Sequence, residues 1–139
     1  MYVFVNPLPI LLHINVNDKL SILDALPLMD TILQSTIEIY TIIDGICKNT
    51  IILPFIVGKK RYMYKNAHIY ITKSFFETTE KNISIEDKMI NLNTFKNNIT
   101  KIFKKYTKFT PEIYKNLYKR ELFFNAEEAL KFGLIDEII

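Results

Sequence analysis

Few residues in this 139-residue chain are equipped for chemistry near neutral pH. There is one cysteine, Cys47, and there are two histidines, His13 and His68. A single thiol cannot build a disulfide framework or a cysteine-cluster zinc site. Two histidines this far apart lack metal-ligand spacing, so no metal and no other cofactor is expected. Cys47 could act as a nucleophile only with a base to hold its thiolate. No such base is in view, and a buried, inert cysteine is the plainer reading. His13 lies inside Ile10-Leu11-Leu12-His13-Ile14 and reads as a hydrogen-bonded core residue. His68 reads as a histidine on a strand surface. Lys101, Lys104, Lys105, Lys108, Lys115 and Lys119 form a basic stretch. A solvated face is the plainer reading, and an RNA or anionic-lipid patch is the other. Tyr106, Tyr114, Tyr118, Phe123 and Phe124 read as core and interface anchors rather than a base-stacking platform.

These residues must be positioned by alternating strands and helices. Ile10 to Ile14 is a short apolar run between Pro9 and Asn15, expected as a buried strand. Asn17 or Asp18 can cap a helix from Leu20 to Leu33, with Leu20, Leu23, Leu26, Met29 and Leu33 at helical spacing. Pro27 should kink it, because the ring removes one backbone hydrogen bond. Ile37 to Ile43 is a second strand, closing a parallel βαβ unit, and Asp44-Gly45 is expected as a turn. Thr50 to Val57 reads as a short buried helix. Arg61 to Tyr64 and Ile69 to Ile71 read as two strands, giving a second unit. Ser84 to Tyr106 is a long helix, with Ile85, Met89, Leu92, Ile99, Ile102, Phe103 and Tyr106 on one side. At 1.5 Å per residue it runs ~30 Å, long enough to project or to meet a partner. Thr110-Pro111 opens another helix, with Pro in its favoured first position. Asn125-Ala126-Glu127-Glu128 is a capping box, Gly133 stops that helix, and Leu134 to Ile139 is a final strand. The reading is one α/β domain, residues 1–139.

Composition narrows the classes. Hydrophobic residues make up 49% of the chain and aromatics 13%, too many for a disordered tail. The net charge of +3 and pI near 8.9 are mildly basic and do not by themselves point to nucleic acid. Ile, Lys, Asn, Phe and Tyr supply 69 of the 139 residues, against three Gly, two Arg and no Trp. AT-rich codons supply this set, so the lysine and asparagine richness reads as genome bias, which suits organelle genomes and some parasites. The apolar opening from Tyr2 to Val16 is broken by Asn6, Pro7, Pro9, His13 and Asn15. It has no basic start and no small-residue cleavage site, so neither a targeting segment nor a membrane span is expected.

The stretch from Arg120 to Ile139, RELFFNAEEALKFGLIDEII, resembles the end of ClpP, the self-compartmentalising serine protease. There the family carries its catalytic Asp before an aromatic, then a Ser/Asn-Ala-x-Glu-Ala helix and Tyr/Phe-Gly-Leu-Ile/Val-Asp. Lys60 to Ile71, KRYMYKNAHIYI, is similar to the family's segment leading to its catalytic His. Ile14-Asn15 matches the Ile-Asn before the family's Ser-Pro-Gly-Gly. The helix from Ser84 matches the "handle" that joins two rings. The crotonase superfamily shares the fold and a similar ending, but the handle and the Arg61 segment favour ClpP. The resemblance runs from about residue 10 to residue 139. It implies stacked βαβ units of the ClpP/crotonase type with a protruding handle helix.

The resemblance also places the catalytic positions, and none keeps its residue. The nucleophile position, before the apolar helix, falls on Asn49. The base position falls on Thr72 and the acid position on Glu121. Residues around Val16-Asn17-Asp18 stand in place of the oxyanion strip. Acyl transfer needs a nucleophile, a base and oxyanion donors. An amide cannot be activated, a threonine cannot shuttle protons near pH 7, and side chains bar the close approach glycines permit. The expectation is no catalytic residues and no peptidase activity. Glu121 keeps either a structural partner or a solvated place at a helix end. The family has a longer stretch, with axial pore loops and a first helix, before its Ile-Asn, so the axial gate and part of the chaperone-docking surface are expected to be absent or supplied by neighbours. The implied role is a non-catalytic scaffold subunit of a hetero-oligomeric organellar Clp protease, in a mitochondrion or plastid and possibly encoded there. Its partners would be ClpP-type subunits and an AAA+ unfoldase, with no small-molecule substrate and no nucleic acid. The alternative is a ClpP-derived structural subunit of another organellar assembly, such as a respiratory complex or mitoribosome.

Overall fold

The computed structural model describes residues 7–18, 20–76 and 85–139. Its strands are β1 (Ile10–Val16), β2 (Ile39–Lys48), β3 (Lys60–Met63), β4 (His68–Ile71), β5 (Leu122–Phe124) and β6 (Glu137–Ile138). Its helices are α1 (Ile22–Gln34), α2 (Ile52–Ile56), α3 (Ile85–Tyr106), α4 (Pro111–Asn116) and α5 (Ala126–Lys131). The architecture is α/β with one mixed sheet. β2 is its hub, pairing in parallel with β1 along one side and with β3 and then β4 along the other. β6 extends the sheet beyond β3 in parallel, and β5 extends it beyond β4 in antiparallel.

The local chemistry of the helix ends explains where they fall. Ser21 caps α1 by accepting the Leu23 N–H, so the cap lies later than Asn17 or Asp18. The helix runs on as one element through Pro27, whose fourth-preceding residue, Leu23, is solvent-exposed. Thr110 caps α4 with Pro111 in the first turn, and the capping box of Asn125 and Glu128 closes on both sides. Gly133 takes φ 71, and a Cβ there would stand 2.8 Å from the Lys108 nitrogen. A left-handed residue is required at that turn, which is why glycine ends this helix. The expected helix start at Ser84 lies outside the described residues. From Leu92 onward α3 turns Ile99 and Phe103 into the core, with Phe95, Ile102 and Tyr106 partly buried beside them.

Four expectations need correction. β1 is not a buried strand: Ile10, Leu11 and His13 are exposed, and Ile14 is its buried residue. A strand with one pairing neighbour leaves one edge in solvent. Asp44-Gly45 is not a turn, because β2 continues through it to Lys48. Its register against β1 shifts between Ile14 and Val16, which makes the passage an irregularity within the strand. Gly45 is needed there because a Cβ would lie 2.6 Å from Asn15 Oδ1, the atom that accepts the Ile46 N–H. The segment expected as one helix from Thr50 divides into a 3₁₀ turn, Asn49–Ile51, followed by α2. The final strand is only Glu137–Ile138, because Leu134 and Ile135 are core residues of the preceding turn. β5 was hidden in sequence by its three-residue length and exists through its pairing with β4.

Candidate functional site

The site forms where β2 and β4 end side by side. Ile46 pairs with His68 and Lys48 with Tyr70, so the residues just beyond these strands are neighbours. β2 runs directly into the 3₁₀ turn and α2, and Asn49 sits at that junction with φ 57. Such a left-handed residue on a strand-to-helix turn lifts its side chain clear of the sheet, the geometry of a nucleophile elbow. Asn pays less for this conformation than most residues. The turn is anchored from below by Thr50, Ile51, Ile52 and Leu53, all buried.

Asn49 and Thr72 are brought together and lock onto each other. The Asn49 Nδ2 donates to Thr72 Oγ1 at 2.9 Å, and the Thr72 backbone N–H donates to Asn49 Oδ1 at 2.7 Å. Thr72 Oγ1 also lies 2.7 Å from Ser74 Oγ and accepts the Ser74 N–H at 3.2 Å. The cluster is an amide and two hydroxyls, none of which ionises near pH 7. Glu121, immediately before β5, does not join it through a hydrogen bond. Its carboxylate accepts the Tyr70 hydroxyl at 2.8 Å, and that hydrogen bond pushes the Tyr70 phenol up from its ordinary pKa. Continuing the β4–β5 register places Glu121 opposite Thr72, but its side chain turns to Tyr70. Glu121 is therefore exposed but partnered.

The other sequence candidates lie elsewhere. Cys47 is wholly buried, and that burial pushes its thiol far up, away from thiolate chemistry. His68 stacks on Phe123 with ring centroids 4.5 Å apart. His13 is not a core residue; it is exposed and holds Asp44 at 2.9 Å across β1 and β2. Val16 pairs with Cys47, and Asn17 and Asp18 are exposed at the end of β1. Phe124 and Tyr118 do serve the interior, and Phe109 and Phe124 stack with centroids 5.9 Å apart. Phe123, by contrast, is 53% exposed. A groove lined by Ile32, Leu33, Ser35, Ile39, Val57 and Lys59 opens at the end of α1 and includes none of Asn49, Thr72 or Glu121. Among the described residues no group of three His, Cys, Asp or Glu side chains could hold a metal ion, and no helix is long and apolar enough to cross a membrane.

Residue-type reasoning missed the strongest polar junction. The Arg61 guanidinium grips Asp136 through Nε at 3.2 Å and Nη2 at 2.9 Å. Its Nη1 donates to the carbonyls of Tyr106 and Gly133, each at 2.8 Å. One side chain thus ties β3, the last turn of α3 and the turn after α5. The signal was present in the Lys-Arg and Gly-Leu-Ile-Asp motifs, but nothing in sequence said that they meet. Tyr118 was also missed as a special backbone position. It takes φ 66, and its buried hydroxyl has no hydrogen-bond partner among the described residues. Burial pushes that phenol up.

The motifs meeting at Arg61 and the turn at Asn49 frame the comparison with known proteins. The family model for Clp protease matches residues 7–139. This chain belongs to the Clp protease family. The solved structure of a peptidase from Plasmodium falciparum is 27% identical, with a TM-score of 0.76 over 96% of this chain and 80% of that one. A further solved enzyme is 30% identical, with a TM-score of 0.76 over 96% of this chain and 79% of that one. ClpP1 from Listeria monocytogenes, 16% identical, shares the fold, with a TM-score of 0.75 over 94% of this chain and 73% of that one. No curated protein sequence matches the chain. Clp protease membership fits a place in a multi-subunit protease complex.

Proposed function

We propose that this chain is a catalytically inactive ClpP-like subunit, a scaffold position in a hetero-oligomeric Clp protease of an organelle. The observation that carries the reading is the Asn49–Thr72 lock. At the family's nucleophile and base positions, an amide and a hydroxyl satisfy each other, with Thr72 only 6% exposed. The Glu121 carboxylate at the acid position is engaged by Tyr70. A retained elbow with unreactive occupants is what a subunit kept for its shape would hold.

In this reading the domain is a single ClpP-like unit of stacked βαβ layers. α3, 22 residues and ~33 Å long, serves as the handle packing against other subunits. The partners are active ClpP-type subunits, with an AAA+ unfoldase acting on the assembly. AT-rich coding suits a mitochondrial or plastid compartment. The test is a fluorogenic peptide assay on the isolated chain and on the native complex, with mass spectrometry of the complex. The expected result is no turnover by the chain alone and ClpP-type companions in the complex. Peptide hydrolysis by the isolated chain, abolished by a serine-directed or thiol-directed reagent, would overturn the reading.

A further inference from the structure

Of the chain's 18 lysines and arginines, eight fall within residues 96–120, together with one acid, Glu112. Outside that stretch acids outnumber bases by fourteen to ten. Genome bias toward lysine does not produce this division, because it acts along the whole chain. The fold gathers most of these cations on one surface. Lys101, Lys104 and Lys105 are exposed and share one face of the end of α3, opposite the buried Ile99 and Phe103. The Thr107 N–H bonds to the Phe103 carbonyl, which carries the helical turn on to the exposed Lys108. α4 adds the exposed Lys115 and the partly exposed Tyr114. The Lys104 ammonium lies 5.8 Å over the Tyr114 ring, and that of Lys105 lies 5.3 Å over the ring of Tyr106, also partly exposed. Among the described residues no salt bridge engages these lysines.

We propose that this α3–α4 surface binds single-stranded RNA, its lysines holding phosphates while Tyr106 and Tyr114 stack on bases. A sequence-tolerant single-strand surface needs cations that track the backbone and aromatic faces beside them, and both are present here. A ring that attracts an ammonium to its face also offers that face to a base, once the ammonium moves to a phosphate. Lys104 and Lys105 complement the negative end of α3, but Lys108 and Lys115 lie beyond that helix and need another account. A membrane-surface helix seats itself by an exposed apolar face. Among the described residues, none of the large apolar side chains exposed on this protein lies between positions 96 and 120. An acidic polypeptide would engage the lysines and leave the two rings without a role. The inference does not depend on the catalytic state of the subunit, so it and the proposed function fail separately.

The test is fluorescence anisotropy of a labelled oligouridylate titrated with the full chain. Binding is expected at about 0.05 M salt and should fall about 100-fold by about 0.2 M, the slope for about five phosphates on a single strand. Lys101→Gln/Lys104→Gln/Lys105→Gln alters exposed side chains only, so its urea midpoint should match that of the wild type. Its salt slope should fall to less than half, with binding at low salt weakened about tenfold or more. Lys108→Gln/Lys115→Gln, on the adjoining turn and helix, should lower the slope by most of the remaining share. Tyr114→Leu should keep the salt slope and bind about tenfold less tightly, a split that a purely ionic surface would not give. Polyglutamate and phosphatidylserine vesicles serve as competitors and should displace the RNA poorly. No binding at low salt overturns the proposal. So does either lysine variant, or Tyr114→Leu, binding as the wild type does, and so does ready displacement by polyglutamate or by the vesicles at equal charge.

Discussion

The junction at Arg61 and the turn at Asn49 both hold family motifs, yet they hold them differently. At Arg61 the motif residues bind one another. A fork to Asp136 and two backbone carbonyls fix the last turn of α3 against β3 and the turn after α5. At Asn49 the backbone makes a left-handed turn between strand and helix, while the side chains are an amide and a hydroxyl that bond to each other. In the proposed reading, the positions that would carry a reaction are filled by groups that satisfy hydrogen bonds, while the Arg61 frame holds its own contacts. The two regions therefore answer to different constraints, and mutations should separate them.

The largest effect is expected at the frame. Arg61→Ala removes the guanidinium and strands the Asp136 carboxylate and the carbonyls of Tyr106 and Gly133. The Arg61 side chain is 12% exposed, so little water can replace it. Loss of a charge-assisted fork of this kind costs about 3 kcal/mol, read as a lower urea midpoint with an unchanged slope. Arg61→Lys should recover less than half, since one ammonium cannot reach three acceptors in a planar fork. An Arg61→Ala protein as stable as the wild type would remove the distinction between the two regions. Next comes Gly133→Ala, which adds a Cβ at φ 71 against the Lys108 backbone. A cost of about 1–3 kcal/mol is expected in the same measurement.

A smaller effect is expected at the turn. Asn49→Ser shortens the side chain and leaves the Thr72 N–H without Asn49 Oδ1. The cost should be about 1–2 kcal/mol. The introduced hydroxyl should yield no peptide hydrolysis, because Thr72 supplies no base. A variant that is more stable than the wild type, or that cleaves a fluorogenic peptide, would show that the amide lock is incidental.

How much was legible in sequence follows the same division. Periodicity placed α1, α3 and the parallel strands around β2, and caps placed the starts of α4 and α5, because these rest on local patterns. Asn49 and Thr72 came from motif order, and the parallel register of β2 with β4 is what puts them in contact. Tertiary pairing decided the rest. β5 is too short to announce itself, and Glu121 meets Tyr70 only because β5 lies antiparallel to β4. His13 sits in an apolar run that suggests burial. Whether a strand is central or at an edge depends on its neighbours, and β1 proves to be an edge. Arg61 and Asp136, 75 residues apart, are a contact that no local rule could join.

The smallest expected effect sharpens the comparison through pH. Burial pushes the Asp136 carboxyl up, but the hydrogen bonds and charge of Arg61 outweigh it, and its pKa lies below the ordinary 3.8. In the unfolded chain Asp136 returns to the ordinary value, so between the two pKa values the unfolded state binds more protons. The stabilisation is therefore complete above about pH 5 and is lost as the pH falls through the lowered pKa. Asp136 is 46% exposed, and solvent screening keeps this contribution modest. Urea titrations from pH 6 down to pH 3 should show stability declining in the acid range. Asp136→Asn, which keeps hydrogen-bonding capacity without the titration, should flatten the part of that decline that Asp136 supplies. Asn49→Ser should leave the slope unchanged, since the Asn49–Thr72 cluster contains no group that titrates there. An identical acid slope in Asp136→Asn and the wild type would place the acid sensitivity outside the Arg61 junction.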